Sequence, residues 1–236
     1  PQIHGASRNA WLHLKEIIET EINSVTDNPI ILENGESVSG GHFHGQPIAM
    51  PLDYATLAAS ELGNVSDRRM YLLLGGEGTE LPKFLIKNSG LHSGFMILQY
   101  TSAALASENK SLCMPASADS IPTSLGQEDH VSMGSISSRK FNKVLDNIEQ
   151  ILAVELLSSA QALDFRKPLK SSPLIECIRT KIRSYIDHAE VDRVFAFDIQ
   201  TMHGLITSNE LTDFIHEKAE QLDIRLDGDY TQAFTL

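Results

Sequence analysis

The spacing of apolar and polar residues along the chain predicts a protein built almost entirely of helices. Between Ala6 and about Asn23, apolar side chains recur every three or four positions with charged ones between them, as on an amphipathic helix. The same spacing predicts further helices over residues 50–74, 94–112, 128–165, 173–188 and 209–222. A helix of about 35 residues would be about 50 Å long, so it needs packing partners along its whole length. We therefore predict an all-α fold in which long helices form a bundle.

Turn-forming residues interrupt this pattern at two places. Near residues 30–46, Asn34-Gly35 lies between two short β-prone runs, which is typical of a β-hairpin, and an irregular glycine-rich segment follows. Farther on, Arg166-Lys167-Pro168 ends the longest helix, because proline cannot continue it. The chain is therefore predicted to have two parts, a long-helix part at 1–166 and a part with shorter helices and a polar end at 167–236.

Two features of the predicted helices concern burial. Residues 94–112 are nearly all apolar or small at first, which predicts a helix buried on most sides at the centre of the bundle. Glu61 and Glu155 fall on or beside apolar faces, where a carboxylate needs a partner once it is buried. Arg68 and Arg69 are the expected partners of Glu61.

Composition narrows the classes of partner and the compartment. The 236 residues carry 19 Lys and Arg against 31 Asp and Glu, a formal charge of −12, which argues against a nucleic-acid partner. No apolar run is long enough to span a bilayer, so no membrane partner is expected. The two cysteines, Cys113 and Cys177, form neither a disulfide framework nor a zinc motif and fit a reducing cytoplasm. The chain opens at Pro1 without an initiator Met, so we expect a piece of a longer protein.

Residues 123–133 hold the densest cluster of polar functional groups in the chain. Within it, a carboxamide, two carboxylates and an imidazole follow one another at Gln127, Glu128, Asp129 and His130. One interpretation is a capped helix start, with Ser124 or Gly126 as N-cap and the acids in the first turn. The other is a binding site, because a helix N-terminus can hold anionic groups.

The pair His42 and His44 raises the question of a metal. A metal hydrolase could use this HxH pair with Glu128 or His130 as third ligand. HxH ligands normally lie on one face of a strand, which the surrounding glycines and Pro47 disfavour. We therefore expect no metal site.

Five segments become informative when they are read together. They are Asn23-Ser24-Val25-Thr26-Asp27-Asn28-Pro29, Ser39-Gly40-Gly41-His42-Phe43-His44-Gly45, Ser93-Gly94-Phe95-Met96, Ala104-Leu105-Ala106-Ser107-Glu108-Asn109-Lys110 and Gln127-Glu128-Asp129-His130-Val131-Ser132-Met133. In this order they resemble the carboxy-terminal half of the histidine ammonia-lyases, in the aromatic amino acid lyase family. The resemblance extends over residues 1 to about 166.

The resemblance implies a fold, an assembly and a reaction. The fold is all-α, and parallel long helices form the core of a homotetramer whose active sites draw on more than one subunit. The reaction eliminates ammonia from an aromatic amino acid, giving urocanate from L-histidine, and a base removes a β-proton. It depends on an electrophilic 4-methylidene-imidazole-5-one (MIO), which forms by cyclisation of an Ala-Ser-Gly segment.

The resemblance also implies site residues. Glu128 matches the family carboxylate beside the substrate imidazole and is the implied catalytic residue. Met96 matches a substrate-pocket position, and Phe43 matches an aromatic near the cofactor that also contacts the substrate. Phenylalanine-type lyases tend to carry Lys where Met96 stands and Gln where Glu128 stands, so this pair favours histidine. Gln127, Asp129 and His130 are implied to position the loop. Two departures concern substrate preference, because the family usually has Asn at position 42 and often at position 126.

Parts of the family's machinery are missing from this chain. It contains no Ala-Ser-Gly, so MIO is not formed from it, and the family's Tyr and Arg that bind the substrate carboxylate would precede position 1. We therefore expect a chain that is inactive without the missing amino-terminal half. Two alternatives stay open: an ammonia-lyase or aminomutase for another aromatic amino acid such as tyrosine, and a non-catalytic helical oligomerisation module.

Overall fold

The computed structural model describes residues 2–76 and 78–226, and this part of the chain is largely helical. Its helices are α1 (Gln2–Ile22), α2 (Gln46–Gly75), α3 (Met96–Leu112), α4 (Gly134–Phe165), α5 (Pro173–Arg183), α6 (Ala196–Thr207) and α7 (Glu210–Gln221). The prediction of an all-α fold is confirmed. None of these helices is both long and apolar enough to cross a membrane.

The predicted hairpin is present between α1 and α2. Strand β1 (Ile30–Ile31) pairs antiparallel with β2 (Ser37–Val38), with Ile30 opposite Val38. The turn between them contains Asn34 and Gly35. The φ of residue 35 is 83°, a left-handed value that glycine adopts easily. The hairpin therefore follows from local turn chemistry.

The structure differs from the predicted helices at α4, α5 and α6. Helix α4 begins at Gly134, six residues after the predicted start at Glu128. Helix α5 ends at Arg183, five residues before the predicted end at residue 188. Helix α6 is not predicted, because Gly204 and several polar residues blur its apolar spacing. The division of the chain after residue 166 stays a prediction, and residues 227–236 of its second part lie outside the described residues.

Contacts divide the described residues into two compact units. Unit 1 contains residues 2–62 and 109–145, and unit 2 contains residues 63–108 and 146–226. In unit 1 the core forms around Leu14, Leu52 and Ala55, against which Trp11 and Phe141 pack. Burial of such aliphatic and aromatic side chains is the main force that holds these helices together.

Unit 2 has the larger apolar core, which includes Phe95, Leu157 and Met202, and a buried amide at its edge. The Gln161 side-chain nitrogen donates to the carbonyls of Leu85 at 3.1 Å and Ala189 at 2.9 Å. Its oxygen accepts from the Ala189 N–H at 3.1 Å and from Arg183 at 3.2 Å. Because both ends of the amide are paired, burying it carries no unsatisfied polar group.

Two burial predictions need correction. Glu61 is exposed and not buried on an apolar face. Arg69 pairs with Glu155, which also accepts from Ser66 at 2.5 Å. The hydrogen bond that Arg69 donates to the Glu155 carboxylate raises the pKa of Arg69. Helix α3 is not buried on most sides within the chain, since Tyr100 on its outer face is 63% exposed. Part of the apolar surface of α3 is therefore not buried by the other described residues of this chain.

Candidate active site

Phe43 lies on the glycine-rich loop, residues 39–45, in unit 1. This loop is tied to the turn before the hairpin, because the Gly40 N–H donates to the Asn28 side-chain oxygen at 3.1 Å. The Phe43 side chain is 55% exposed, although aromatic rings contribute most when they are buried. An exposed ring on an anchored loop can contact a ligand or another part of the protein.

Glu128 lies on a second loop, residues 123–130, which closes on itself. The Thr123 N–H donates to the Glu128 carbonyl at 3.0 Å, and the Glu128 N–H donates back to Thr123 at 3.3 Å. Between them, Ser124, Leu125 and Gly126 have φ values of 51°, 58° and 89°. Such left-handed backbone costs a non-glycine residue about 1 kcal/mol or more. The loop is therefore a defined left-handed turn.

This turn shows that the helix-start interpretation of the cluster is wrong. Gln127, Glu128 and Asp129 all precede the start of α4 at Gly134, so they are not in its first turn. The physical reason is that consecutive residues with positive φ cannot enter a right-handed helix. The acidic side chains are instead exposed on the loop.

His44 and His130 join the two loops. The His44 Nδ1 accepts the Gln46 N–H at 3.1 Å, which places the hydrogen of the neutral ring on Nε2. The His44 Nε2–H then donates to the His130 carbonyl at 2.7 Å, with the His130 Nδ1 at 3.1 Å. A side chain at Gly45 would bring its Cβ within 2.6 Å of the Ser132 hydroxyl, so the loops approach closely. This contact brings the loops of Phe43 and Glu128 together.

The other two residues predicted to position the loop have fewer described contacts. The Gln127 backbone N–H donates to the Ser124 carbonyl at 3.2 Å, which continues the turn. The side chains of Gln127 and Asp129 are exposed. Their positioning role, like that of His130, stays a prediction.

Met96 belongs to unit 2, where it is the first residue of α3. It is half-buried and lines a cavity of about 630 Å³ together with Leu72 and Phe84. Arg69 and Gln99 add polar groups to the same cavity. A mostly apolar cavity of this size with a few polar groups suits a small molecule. The role of Met96 as a wall of the substrate pocket stays a prediction.

His44, the second histidine of the HxH pair, is held by contacts within the chain. Both ring nitrogens of His44 already make hydrogen bonds within the chain. Within residues 2–76 and 78–226, no group of three or more His, Cys, Asp or Glu side chains is placed to hold a metal ion. His44 is therefore better described as a link between loops.

Sequence reasoning missed this linking role. The pattern around His44 points only to a possible metal ligand, because His42 lies two residues away. A usable signal does exist: each loop carries a histidine next to a predicted site residue, at Phe43-His44 and at Asp129-His130. The pairing itself depends on the fold, since 86 residues separate the two rings.

Three comparisons with known proteins agree on one family. The family model described as aromatic amino acid lyase matches residues 1–184. A histidine ammonia-lyase from Natranaerobius thermophilus is 49% identical over 224 residues, which is 94% of this chain and 44% of that protein. The crystal structure of histidine ammonia-lyase from Trypanosoma cruzi superposes with a TM-score of 0.92 at 42% identity, covering 100% of this chain and 46% of that one.

A second solved structure with the same fold is named after a different enzyme. Tyrosine aminomutase from Streptomyces globisporus superposes with a TM-score of 0.87 at 37% identity, covering 92% of this chain and 42% of that chain. The chain studied thus spans less than half the length of each protein with which it is compared.

Proposed function

The chain belongs to the aromatic amino acid lyase family, and we propose that the protein containing it eliminates ammonia from L-histidine to give urocanate. The observation that carries this proposal is the exposed Glu128 carboxylate on a loop joined to the loop of Phe43. The histidine ammonia-lyases among the relatives support the same substrate.

Glu128 suits the recognition of an imidazole. A ring N–H donates a hydrogen bond, and a carboxylate accepts it strongly because the acceptor is charged. A phenyl ring offers no such donor, so a bound phenyl ring that shields the carboxylate from water would leave it unpaired. Phe43 would supply an apolar wall for the flat ring beside Glu128, and Met96 would line the cavity of unit 2. This arrangement favours L-histidine over L-phenylalanine.

The reaction removes a proton from Cβ and breaks the bond between Cα and nitrogen, and the released electron pair forms the double bond. In this family the electrophile is MIO, which would supply an electrophilic carbon for the substrate when present. Phe43 fits a place beside such a flat group, because its ring is exposed on a loop anchored by Asn28 and His44. No residue of this chain would form MIO, because the sequence lacks Ala-Ser-Gly.

We also propose that this chain releases no ammonia by itself. The groups that bind the substrate carboxylate and accept the β-proton would come from the amino-terminal half of the longer protein. A base has to reach its proton within hydrogen-bonding distance, so the site is complete only when that half is present.

The exposed face of α2 supports a homo-oligomer, a tetramer in the intact protein. Met50, Tyr54 and Leu57 are at least 49% exposed on the part of α2 in unit 1. Tyr71 and Leu72 are more than 60% exposed on the part in unit 2. Large apolar side chains repeated along an exposed helix are typical of an interface. Light scattering on the full-length protein should give four times the mass of one chain, and a monomeric mass would contradict the proposal.

For the compartment we propose the cytoplasm. Cys113 and Cys177 are both free thiols, which is the state that a reducing compartment maintains. Fractionation of the source cells tests this, and recovery of the protein from an extracytoplasmic fraction would contradict it.

A second function is an ammonia-lyase or aminomutase acting on another aromatic amino acid such as tyrosine. The similarity to a tyrosine aminomutase supports it, as does His42, where the family usually has Asn. An aminomutase returns the amine to Cβ and so releases little ammonia, which separates it from a lyase.

The test is ammonia release from L-histidine, L-tyrosine and L-phenylalanine by the full-length protein, with this chain measured alongside. We expect release from L-histidine by the full-length protein only. Formation of a β-amino acid would favour the aminomutase, and inactivity on all three would favour a non-catalytic helical oligomerisation module. Release by this chain alone would overturn the argument from the missing cofactor.

A variant tests the role of Glu128. Glu128→Gln keeps the size of the side chain but removes its charge, and kcat/KM for L-histidine should fall about 10- to 100-fold. Glu33→Gln, at an exposed position on the hairpin turn, is the matched control and should leave kcat/KM unchanged. Equal values for the two variants would exclude imidazole recognition by Glu128.

A further inference from the structure

The segment that leads into α3, residues 93–96, is held tightly from one side within unit 2. Gly94 is buried with a φ of 55°, and a Cβ added there would lie 2.5 Å from the Phe84 carbonyl and 2.7 Å from Ile86. The next N–H, of Phe95, donates to the same Phe84 carbonyl at 2.9 Å. Only glycine fits this close approach, so the segment has little freedom to move towards Phe84.

The other side of the segment is held by Asp192. One carboxylate oxygen accepts the Ser93 N–H at 2.8 Å, and the other accepts the Gly94 N–H at 2.7 Å. The bond from Ser93 is the main reason that the pKa of Asp192 is lowered. Hydrogen bonds to a charged acceptor are about twice as strong as neutral ones, and a negative charge is favourable before a helix. Asp192 therefore accepts hydrogen bonds from two consecutive backbone amides just before Met96.

The loop that carries Asp192 is itself well fixed. Arg193 donates to the Asp187 carbonyl at 2.7 Å and to the Asp198 carboxylate at 2.8 Å. Phe195 packs edge-on against Phe95, with ring centroids 5.0 Å apart, and Phe95 is only 1% exposed. A carboxylate on a rigid loop can define the position of the amides that it binds.

From these contacts we propose that Asp192 is a positioning residue for the substrate pocket. It fixes the turn from which Met96 reaches the cavity of about 630 Å³ in unit 2. The inference rests on the proposed function, because it takes Met96 as a wall of that pocket. It also gives a role to the part of the chain after residue 184, where the match to the family model ends. A pocket wall displaced by about 1 Å can reduce kcat/KM up to about 100-fold.

The experiment compares the full-length protein with Asp192→Ala, Asp192→Asn and the control Asp187→Ala. Asp187 is an exposed acid on the same loop, five residues earlier. Hydrogen exchange of the peptide covering residues 91–98 measures how strongly the Ser93 and Gly94 amides are protected by Asp192. Kinetics with L-histidine and L-tyrosine report the pocket.

We expect faster exchange of that peptide in Asp192→Ala and a fall in kcat/KM for L-histidine of about 10- to 100-fold, mainly through KM. The preference for L-histidine over L-tyrosine should narrow, because the Met96 wall is no longer fixed. Asp192→Asn keeps one acceptor but turns an NH2 group towards the other backbone N–H, so it should give an effect of the same kind, and it replaces the alanine variant if that one fails to fold. Asp187→Ala should match the wild type.

Two results would overturn the inference. One is unchanged exchange of the peptide, since the amides would then not depend on Asp192. The other is faster exchange with unchanged kinetics, since these hydrogen bonds would then not affect the pocket. Failure of the proposed function would be seen separately, as absence of ammonia release from L-histidine by the wild-type protein before any variant is compared.

Discussion

Asp164, at the end of α4, offers a stability prediction whose size can be worked out from the structure. Its side chain is only 6% exposed. Four basic groups surround it, with contacts from Arg183 at 2.6 Å, Arg179 at 3.0 Å, Lys167 at 3.1 Å and His188 at 3.1 Å. Burial alone would raise the pKa of Asp164, but the hydrogen bonds and charge of Arg183, with Lys167 and His188, outweigh it and lower the pKa from 3.8 to about 2.

This pKa shift sets the magnitude and the pH dependence. A carboxylate whose pKa is lowered on folding stabilises the fold above its unfolded pKa, and the contribution is lost as the pH falls through the folded value. A change from 3.8 to about 2 corresponds to about 2 to 3 kcal/mol at pH 7, or about 60-fold in an equilibrium constant. At pH 3 about half of that free energy should remain.

The perturbation is Asp164→Asn, which keeps the shape of the side chain and removes the charge. Hydrogen exchange of the α5 amides in the full-length protein measures the free energy of local opening, because opening α5 breaks the contacts of Arg179 and Arg183 with Asp164. We expect α5 to exchange faster in the variant, by up to about 60-fold at pH 7 and up to about 10-fold at pH 3, since Lys167 and His188 lie outside α5 and keep part of the effect. Asp146→Asn, at an exposed position on α4, is the control and should change exchange little.

One result would refute this reasoning directly. If Asp164→Asn and Asp146→Asn gave the same exchange rates in α5 at pH 7, the basic groups around Asp164 would contribute nothing to stability. A difference that did not shrink between pH 7 and pH 3 would show that the effect does not come from the charge of Asp164.

Two further predictions concern the ion pair of unit 2 and the link between the site loops. Glu155→Gln removes the charge opposite Arg69 and should lower the free energy of unfolding by about 1 to 2 kcal/mol in a urea titration, whereas an unchanged midpoint would show that the pair is neutral for stability. His44→Phe keeps a ring but removes the hydrogen bond to His130, so kcat/KM for L-histidine should fall about tenfold, and an unchanged value would contradict the positioning role.

Much of the fold could be predicted because the apolar spacing is regular where the helices are long. The end of α2 at Gly75 and the hairpin turn at Gly35 follow from residues that act locally. The start of α4 could not be predicted in the same way, because Ser124 and Gly126 also fit an N-cap. Their left-handed backbone, with that of Leu125, belongs to a loop that closes between Thr123 and Glu128.

In the candidate site, too, some residues could be predicted from local sequence and others could not. Glu128, Phe43 and Met96 come from the resemblance, since each stands in a short motif that can be recognised without the fold. Asp192 carries no such signal, because 98 residues separate it from the Gly94 amide that it binds. Contacts of this kind depend on the packing of segments that are distant in sequence, which cannot be predicted from residue spacing or composition.

The buried amide of Gln161 has a consequence for the chemical ageing of the protein. Its nitrogen faces two carbonyl oxygens, those of Leu85 and Ala189, and its oxygen faces two donors, so the group has only one acceptable orientation. Deamidation would replace that nitrogen with a second oxygen and place a carboxylate against both carbonyls. Two hydrogen bonds would become repulsions in a buried place, at a cost of about 3 kcal/mol or more. The packing of α4 against the segments of Leu85 and Ala189 therefore depends on the side-chain nitrogen of Gln161, and burial protects this atom from hydrolysis.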